Sequence, residues 1–398
     1  MKPKFKIIKK LGNARAGEIK TSHGIINTPA FFPVGTKGTL KTLTGAQIRE
    51  ISPQTVLGNT YHMMLQPGPK IVAKMGGFSK MMDWNGPTFT DSCGFQVFSL
   101  GVGLEKPGVK FLKPESIEAG EKKPRLNKIT EEGVEFQSHI DGSKHKLTPE
   151  LSIKIQQDLG ADLIVSFDDL ESPTYSEEET VRSLELTKRW EIRSLKAYLA
   201  SQGLALGGWS QLLYGVTHGG QFENLRRESA RFVNENFDAI ALGGAHSSKK
   251  NLYDVISWTV DELDENKPRH LLGIGEVDDI FEGVSRGIDS FDCVIPTRLG
   301  RMGHVFIYPP EGNVKNRFRI DITKSKYSNS LQPLAKSCHC YVCKTYSRAY
   351  INHLFRAKEL LAYTLASYHN VYFMVRLTDK IRESIIDESF EKLKNKWI

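Results

Sequence analysis

Cys338, Cys340 and Cys343 bring three of the chain's five cysteines within six residues. A tetrahedral zinc ion takes four ligands, and a tight Cys-x-Cys-x2-Cys loop can supply three of them as thiolates. The fourth is read as His369, in a segment that reads as the end of a helix. His353 and His339 are weaker candidates, and His339, inside the loop, should face solvent. A Cys3His set leaves no open coordination position, so the zinc would be structural. A redox pair or a surface disulfide competes with this reading, but no matching partner cluster is present for a disulfide framework.

A second group of residues could act on a substrate. Asp292 sits in Phe291-Asp292-Cys293-Val294-Ile295-Pro296. A carboxylate among such neighbours is costly unless it is used or paired. It could cap a helix, pair with Arg298, or act as a nucleophile at a sugar carbon. A second carboxylate would then serve as acid and base for the leaving and entering groups. Asp91-Ser92-Cys93-Gly94-Phe95-Gln96 offers one. Gly94 permits close backbone approach to a ligand, and Phe95 could stack on a flat ring or fill the core. Of Asp168 and Asp169, one could read a ligand's NH groups while the other caps the next helix. Gly219-Gly220 and Gly243-Gly244 could be turns or could present backbone groups to a bound ring. Arg298-Leu299-Gly300-Arg301 suits phosphate contact from a glycine-containing loop, or is a solvated loop.

These residues need a frame. Short apolar runs recur at Ala30–Val34, Thr55–Gly58, Thr88–Thr90, Leu163–Phe167, Leu212–Val216, Ala239–Leu242, His270–Ile274 and Ser290–Val294. Continuous apolar runs suit parallel strands buried on both faces. Helical stretches follow the later ones, at Glu177–Ala200, Glu223–Glu235, Lys250–Glu262 and Asp278–Arg286. Eight alternating units predict an α/β fold, an irregular (β/α)8 TIM barrel, whose active site lies at the carboxyl ends of the strands. Asp91, Asp168 and Asp292 all close strands and would converge there. Residues 1–330 are expected to form this catalytic barrel. Gly101–Lys128, rich in Gly, Pro and Lys, reads as a long mobile insertion. Residues 331–398 are expected to form a zinc-binding helical subdomain packed on the barrel, with helices over Ser347–Leu365 and Tyr372–Lys394.

The 398 residues carry a net charge of +8, which favours an anionic partner such as nucleic acid without requiring one. No apolar run approaches the ~18 residues that span a bilayer. Met1–Lys10 is basic and lacks the apolar core of a signal peptide. Five cysteines, three of them assigned to metal, point to a reducing cytoplasm, and with no spanning run no membrane partner is expected.

Together these segments resemble the tRNA-guanine transglycosylases, or queuine tRNA-ribosyltransferases. The resemblance rests on Thr90-Asp91-Ser92-x-Gly94-Phe95-Gln96-Val97-Phe98-Ser99-Leu100, on Phe291-Asp292-Cys293-Val294-x-Pro296-Thr297-Arg298, and on Cys338-x-Cys340-x2-Cys343 with His369. Ser347-Arg348-Ala349-Tyr350 and His369-Asn370 add to it. It implies a barrel with one structural zinc per subunit, no organic cofactor, and commonly a homodimer. It implies exchange of the wobble guanine in tRNAs with a GUN anticodon, those for Asp, Asn, His and Tyr. Asp292 matches the nucleophile that would form a covalent ribosyl intermediate, and Asp91 the general acid/base. Ser92, Cys93, Gly94, Phe95, Asp168, His218, Gly244 and Leu272 match the base pocket. Gly273, Ile274, Gly275, Glu276, Val277, Asp278 and Asp279, with Thr297, Arg298, Leu299, Gly300 and Arg301, match tRNA-contacting segments.

The departures fall mostly in the base pocket. Cys93 replaces a family glycine, Leu170 a typical bacterial Cys, and His218 a Gln that contacts the base carbonyl. Ala245-His246-Ser247-Ser248-Lys249 replaces Leu-Ala-Val-Gly-Glu. Lys249 in place of that Glu removes a partner for the ammonium of 7-aminomethyl-7-deazaguanine and could repel it. His218 could still donate a ring NH to a base carbonyl. Leu170 and His218 look like chlamydial members, so queuine is favoured as the incoming deazaguanine over the aminomethyl base. Two other classes fit less well. A non-catalytic tRNA-binding subunit would not need all three aspartates, and a D-arm enzyme of archaeal type should carry a further RNA-binding domain.

Overall fold

The computed structural model describes residues 3–94, 127–244 and 246–398. An antiparallel sheet comes first, β1 (Lys4–Leu11), β2 (Ala14–Thr21) and β3 (Gly24–Thr28). The barrel strands follow: β4 (Ala30–Gly35), β5 (Val56–Gly58) and β6 (Thr88–Thr90). A second antiparallel sheet interrupts them, β7 (Asn127–Thr130), β8 (Gly133–Gln137) and β9 (Lys144–Leu147). The barrel resumes with β10 (Leu163–Val165), β11 (Leu212–Thr217), β12 (Ala239–Leu242), β13 (Arg269–Leu271) and β14 (Ser290–Cys293). Each strand pairs in parallel with the next, and β14 pairs with β4 to close the barrel. All eight predicted strands are present; the largest shift is β13, which ends at Leu271 rather than Ile274.

The burial of these strands explains the continuous apolar runs. Alternate residues of β4 face opposite ways: Ala30, Phe32 and Val34 join the barrel interior with Phe89, Val165 and Val216, whereas Phe31 packs outward. Ile19 and Ile26 of the first sheet join the interior cluster beside Ala30, Leu163, Leu212 and Ala239. Those four open their strands, so this sheet closes the amino-terminal end. Neither small sheet was anticipated, because β1 and β7 are half-exposed and polar.

The surrounding helices begin where capping chemistry dictates. Ser176 accepts from the Glu179 NH while Glu179 reaches back to the Ser176 NH, starting Glu177–Ala200. Ser248 caps Lys249–Val260. The carboxyl-terminal helices break elsewhere than expected. They span Arg348–Arg356, Leu360–Ile386 and Phe390–Trp397, and the turn falls at Lys358, whose φ of 59° is left-handed. His369 therefore lies inside the 27-residue Leu360–Ile386 helix, not at a helix end. That helix packs on the barrel: Thr378 Oγ1 accepts from the Phe31 NH at 3.2 Å. Of the anticipated insertion, 101–126 lies outside the described residues, and Asn127 and Lys128 belong to β7.

Candidate active site

The carboxyl ends of the strands open on a cavity of about 450 Å3, within the range of small-ligand sites. Asp91 after β6, Asp168 after β10 and Asp292 on β14 all line it, as do Ser92, Gly94, Gly244, Leu272 and Gly273. Gly94 has to be glycine, because a Cβ there would stand 2.4 Å from Asp168 Oδ1. Gly244 combines a φ of +110° with a Cβ position 2.4 Å from Arg226 Nη2. Leu170 lines the cavity too. Cys93, matched to the base pocket by the resemblance, is not among the lining residues and is fully buried with φ 81°. Phe95 lies outside the described residues.

Each carboxylate is held differently. Asp292 Oδ1 accepts from the Gly273 NH at 2.8 Å and faces His270 Nε2 at 3.1 Å. Asp292 Oδ2 has no hydrogen-bond partner among the described residues. Neither a helix cap nor Arg298 accounts for this aspartate. His270, stacked on Phe32 at 5.2 Å and bonded to Ser290 Oγ at 2.9 Å, fixes its orientation. Asp91 accepts from the Thr60 NH at 2.8 Å and from Asn59 Nδ2 at 2.5 Å. Burial pushes its pKa up to about 7, the Thr60 NH opposing and the nearby Asp292 charge adding to the rise. Asp168 Oδ1 accepts from Ser92 Oγ at 2.7 Å. Asp169 does not cap the next helix, whose cap is Ser176; its Oδ2 accepts from Ser183 Oγ at 2.7 Å inside that helix.

His218 corrects another expectation. It stands behind Asp168, with Nε2 2.9 Å from Asp168 Oδ2 and Nδ1 2.5 Å from Glu171 Oε2. Nε2 is taken by Asp168, Nδ1 faces Glu171 away from the cavity, and His218 is not among the cavity-lining residues, so neither nitrogen is placed to serve a base carbonyl. Lys249 also faces away from its expected role. Its Nζ pairs with Asp278 at 2.6 Å and Asp279 at 3.0 Å, and it does not line the cavity.

Beyond the barrel, Sγ of Cys338, Cys340 and Cys343 and Nδ1 of His369 lie within 4.8 Å of one another. His369 Nε2 is 2.7 Å from the Phe306 carbonyl, which leaves Nδ1 as the ligand atom. Three sulfurs and one imidazole nitrogen at this spacing can hold a tetrahedral metal such as zinc. His339 and His353 are exposed and outside the cluster.

The family model described as queuine tRNA-ribosyltransferase matches residues 10–398. The chain belongs to that family. A queuine tRNA-ribosyltransferase of Roseiflexus sp. (strain RS-1) is 46% identical over 97% of this chain and 96% of its own length. One of Caldanaerobacter subterraneus is 42% identical over 99% and 96%. One of Fusobacterium nucleatum is 40% identical over 99% and 97%.

In this queuine tRNA-ribosyltransferase family member the cavity rim is cationic. Arg298 and Arg301 line it together with Lys37 and Lys41, which the sequence reading did not single out. Lys41 is held below its usual pKa by burial and by Arg301, Lys37 and Arg298. The arginines sit on the helix Ile295–Arg301 rather than on a loop, and a Cβ on Gly300 would stand 2.7 Å from the Ser367 nitrogen. Not every expected tRNA contact is available. The side chains of Ile274, Val277 and Asp279 are buried, Leu299 packs on the core, and Glu276 faces Arg317 and Arg319. Gly273 and Thr297 line the cavity. Asn59, His270, Glu171 and Arg226 were also missed as site residues. Asn59 was visible as the polar end of a strand, and His270 as a polar residue inside an apolar run; Glu171 and Arg226 carry no local signal.

Proposed function

We propose that the protein exchanges guanine in tRNA for a 7-deazaguanine base through a covalent ribosyl-enzyme intermediate on Asp292. The observation that carries this reading is the convergence of Asp91, Asp168 and Asp292 on one cavity of a member of this family. Asp292 Oδ2 attacks C1′ of the nucleotide, and the C1′–N9 bond to guanine breaks. Protonated Asp91 gives the departing base its proton, and ionised Asp91 then takes one from the incoming base. That base displaces Asp292 at C1′ and restores the carboxylate. Asp168, an acceptor, reads the NH donors of the guanine-like edge. The wobble base has to leave the anticodon stack to enter such a cavity. The rim cations Lys37, Lys41, Arg298 and Arg301 suit the adjoining phosphates. Substrates are tRNAs with a GUN anticodon.

Zinc fills the Cys3His set as a structural ion and supplies no step of the reaction. The working unit is a homodimer. The stacked Tyr346 and Tyr350, with Tyr341 and the exposed Leu360 and Leu361, give the carboxyl-terminal elements an apolar surface for it.

Queuine is the incoming base in this reading. Because Lys249 is neutralised by Asp278 and Asp279, the case against the aminomethyl base rests on the missing carboxylate rather than on repulsion. Position 249 lies off the cavity lining and against Asp278 and Asp279, so Lys249→Glu should not supply that carboxylate to the base and should not admit it. It would place three carboxylates together and cost about 1–3 kcal/mol of stability, read as a lower Tm with unchanged base preference.

The deciding experiment gives the protein tRNA carrying a labelled wobble guanine, with queuine or 7-aminomethyl-7-deazaguanine. Label loss with queuine alone supports the whole reading. Loss with the aminomethyl base overturns the queuine assignment, and no loss with either overturns base exchange. Asp91 adds a pH signature. Guanine release in a single turnover should slow as pH rises through about 7, where Asp91 loses its proton. An identical profile for Asp91→Asn would remove Asp91 from the acid role.

A further inference from the structure

We propose that His218 is the positioning residue of base recognition, a buried cation that keeps Asp168 ionised and aimed at the donor edge of a guanine-like base without touching that base. The ligand's identity rests on the base-exchange reading; the charge state of the His218 network does not.

Nε2 hydrogen-bonds to Asp168, and Nδ1 lies at ion-pair distance from Glu171 without hydrogen-bond alignment; a neutral ring would set a nitrogen lone pair against one of these acceptor-only carboxylates, so the geometry favours the imidazolium. Here those carboxylates are Asp168 at 2.9 Å and Glu171 at 2.5 Å, and His218 is 1% exposed. Its backbone is fixed as well, the NH donating to Ser229 Oγ at 2.9 Å. Glu171 is anchored in turn by the Gly219 NH at 3.0 Å, the Gly220 NH at 2.6 Å and Arg226 Nη2 at 3.3 Å. Arg226 also donates to the Gly220 and Gly243 carbonyls, so the network braces the cavity wall at Gly243-Gly244.

The charges facing His218 can be followed element by element. Asp168, Asp169 and Glu171 come from the segment after β10, Arg226 from Glu223–Asn236, and Glu191 from Glu177–Ala200. Burial raises Glu191 to about 8, so it is neutral at pH 7. Asp169, raised by burial to about 6, is partly so. The strongly interacting core is then two anions, Asp168 and Glu171, against two cations, His218 and Arg226. Burial lowers the His218 pKa, but Glu171 and Asp168 outweigh it and carry it to about 10. Glu171 stays well below the usual carboxylate range despite burial.

Balance of this kind has a functional consequence. A guanine edge presents the N1–H and the 2-amino group, two donors side by side. A carboxylate accepts from both, whereas a carboxylic acid turns one oxygen into a donor. Among the described residues each Asp168 oxygen takes one hydrogen bond, from Ser92 Oγ or from His218, which leaves lone pairs for the ligand. Without the imidazolium, Arg226 alone would face two buried carboxylates, and burial would disfavour keeping both charged.

The test has two parts. Nitrogen NMR of His218 in the ligand-free protein should show an imidazolium at pH 8; a neutral ring there overturns the proposal whether or not guanine binds. Calorimetry then measures guanine binding at pH 6.5 and 8.5 to the wild type, His218→Gln and the double variant Glu171→Gln/His218→Gln. The single variant should bind about 30-fold or more weakly at pH 6.5 and recover to within about threefold of wild type at pH 8.5, where higher pH restores the charge that the lost imidazolium had held. The double variant, with charge balance restored, should bind better than the single one at pH 6.5. A loss equal at both pH values, or a double variant weaker than the single, overturns the role of His218 alone. A wild type that binds no guanine overturns the base-exchange reading and this role with it.

Discussion

Asp292→Asn is expected to lower base exchange by at least about 10^4-fold, the scale on which removing an essential nucleophile acts. The substitution keeps shape and removes charge. The amide oxygen it introduces could still accept from the Gly273 NH, which Asp292 Oδ1 meets at 2.8 Å, so the strand end should hold its conformation. What disappears is the anionic oxygen that has no partner among the described residues and is free to bond C1′. Binding of tRNA should stay within about tenfold of wild type, because the rim cations that neutralise phosphate are untouched. Two measurements separate the effects. Label release reports exchange, and a denaturing gel reports the tRNA–protein adduct that the wild type forms and the variant should not. Retention of more than about 1% of the exchange rate would transfer the nucleophile's role to another group.

How much of this was legible in the sequence depends on whether the signal is local. The eight barrel strands were, since strands buried on both faces have to be apolar throughout. Asp91, Asp168 and Asp292 were legible as polar residues closing those runs. The half-exposed β1 and β7 have no such signature, and their stability comes from pairing with distant segments. The carboxyl-terminal helices were placed with the wrong break, because Lys358 adopts a left-handed turn without being glycine. His218 and Lys249 were read as facing a ligand. Their partners, Glu171 and Asp278 with Asp279, come from other turns of the fold. A cation's neighbours cannot be read from its own segment, so its direction was the least predictable property of the site.

Cys340→Ala should produce the largest loss of stability. Cys340 is 1% exposed, and its sulfur both belongs to the four-ligand cluster and accepts from the Cys343 NH at 3.4 Å, starting the helix Tyr341–Thr345. Structural zinc in small peptides contributes about 10–16 kcal/mol of apparent folding free energy, and one missing thiolate should forfeit a substantial part of such a term. The damage should not stay local. His369 is bonded to the Phe306 carbonyl, and Asn370 beside it accepts from the Phe306 NH at 2.9 Å and donates to the Pro296 and His304 carbonyls. Pro296 lies in the first turn of the helix that carries Arg298 and Arg301, so a loosened metal cluster reaches the cavity rim through one turn of the Leu360–Ile386 helix. The variant should lose stoichiometric zinc, melt at least about 10 °C lower, and bind tRNA more weakly. A chelator should reproduce all three effects in the wild type. An unchanged melting curve with unchanged metal content would refute the structural role. A lost metal with an intact Tm and weakened tRNA binding would instead place the ion in the tRNA-binding surface.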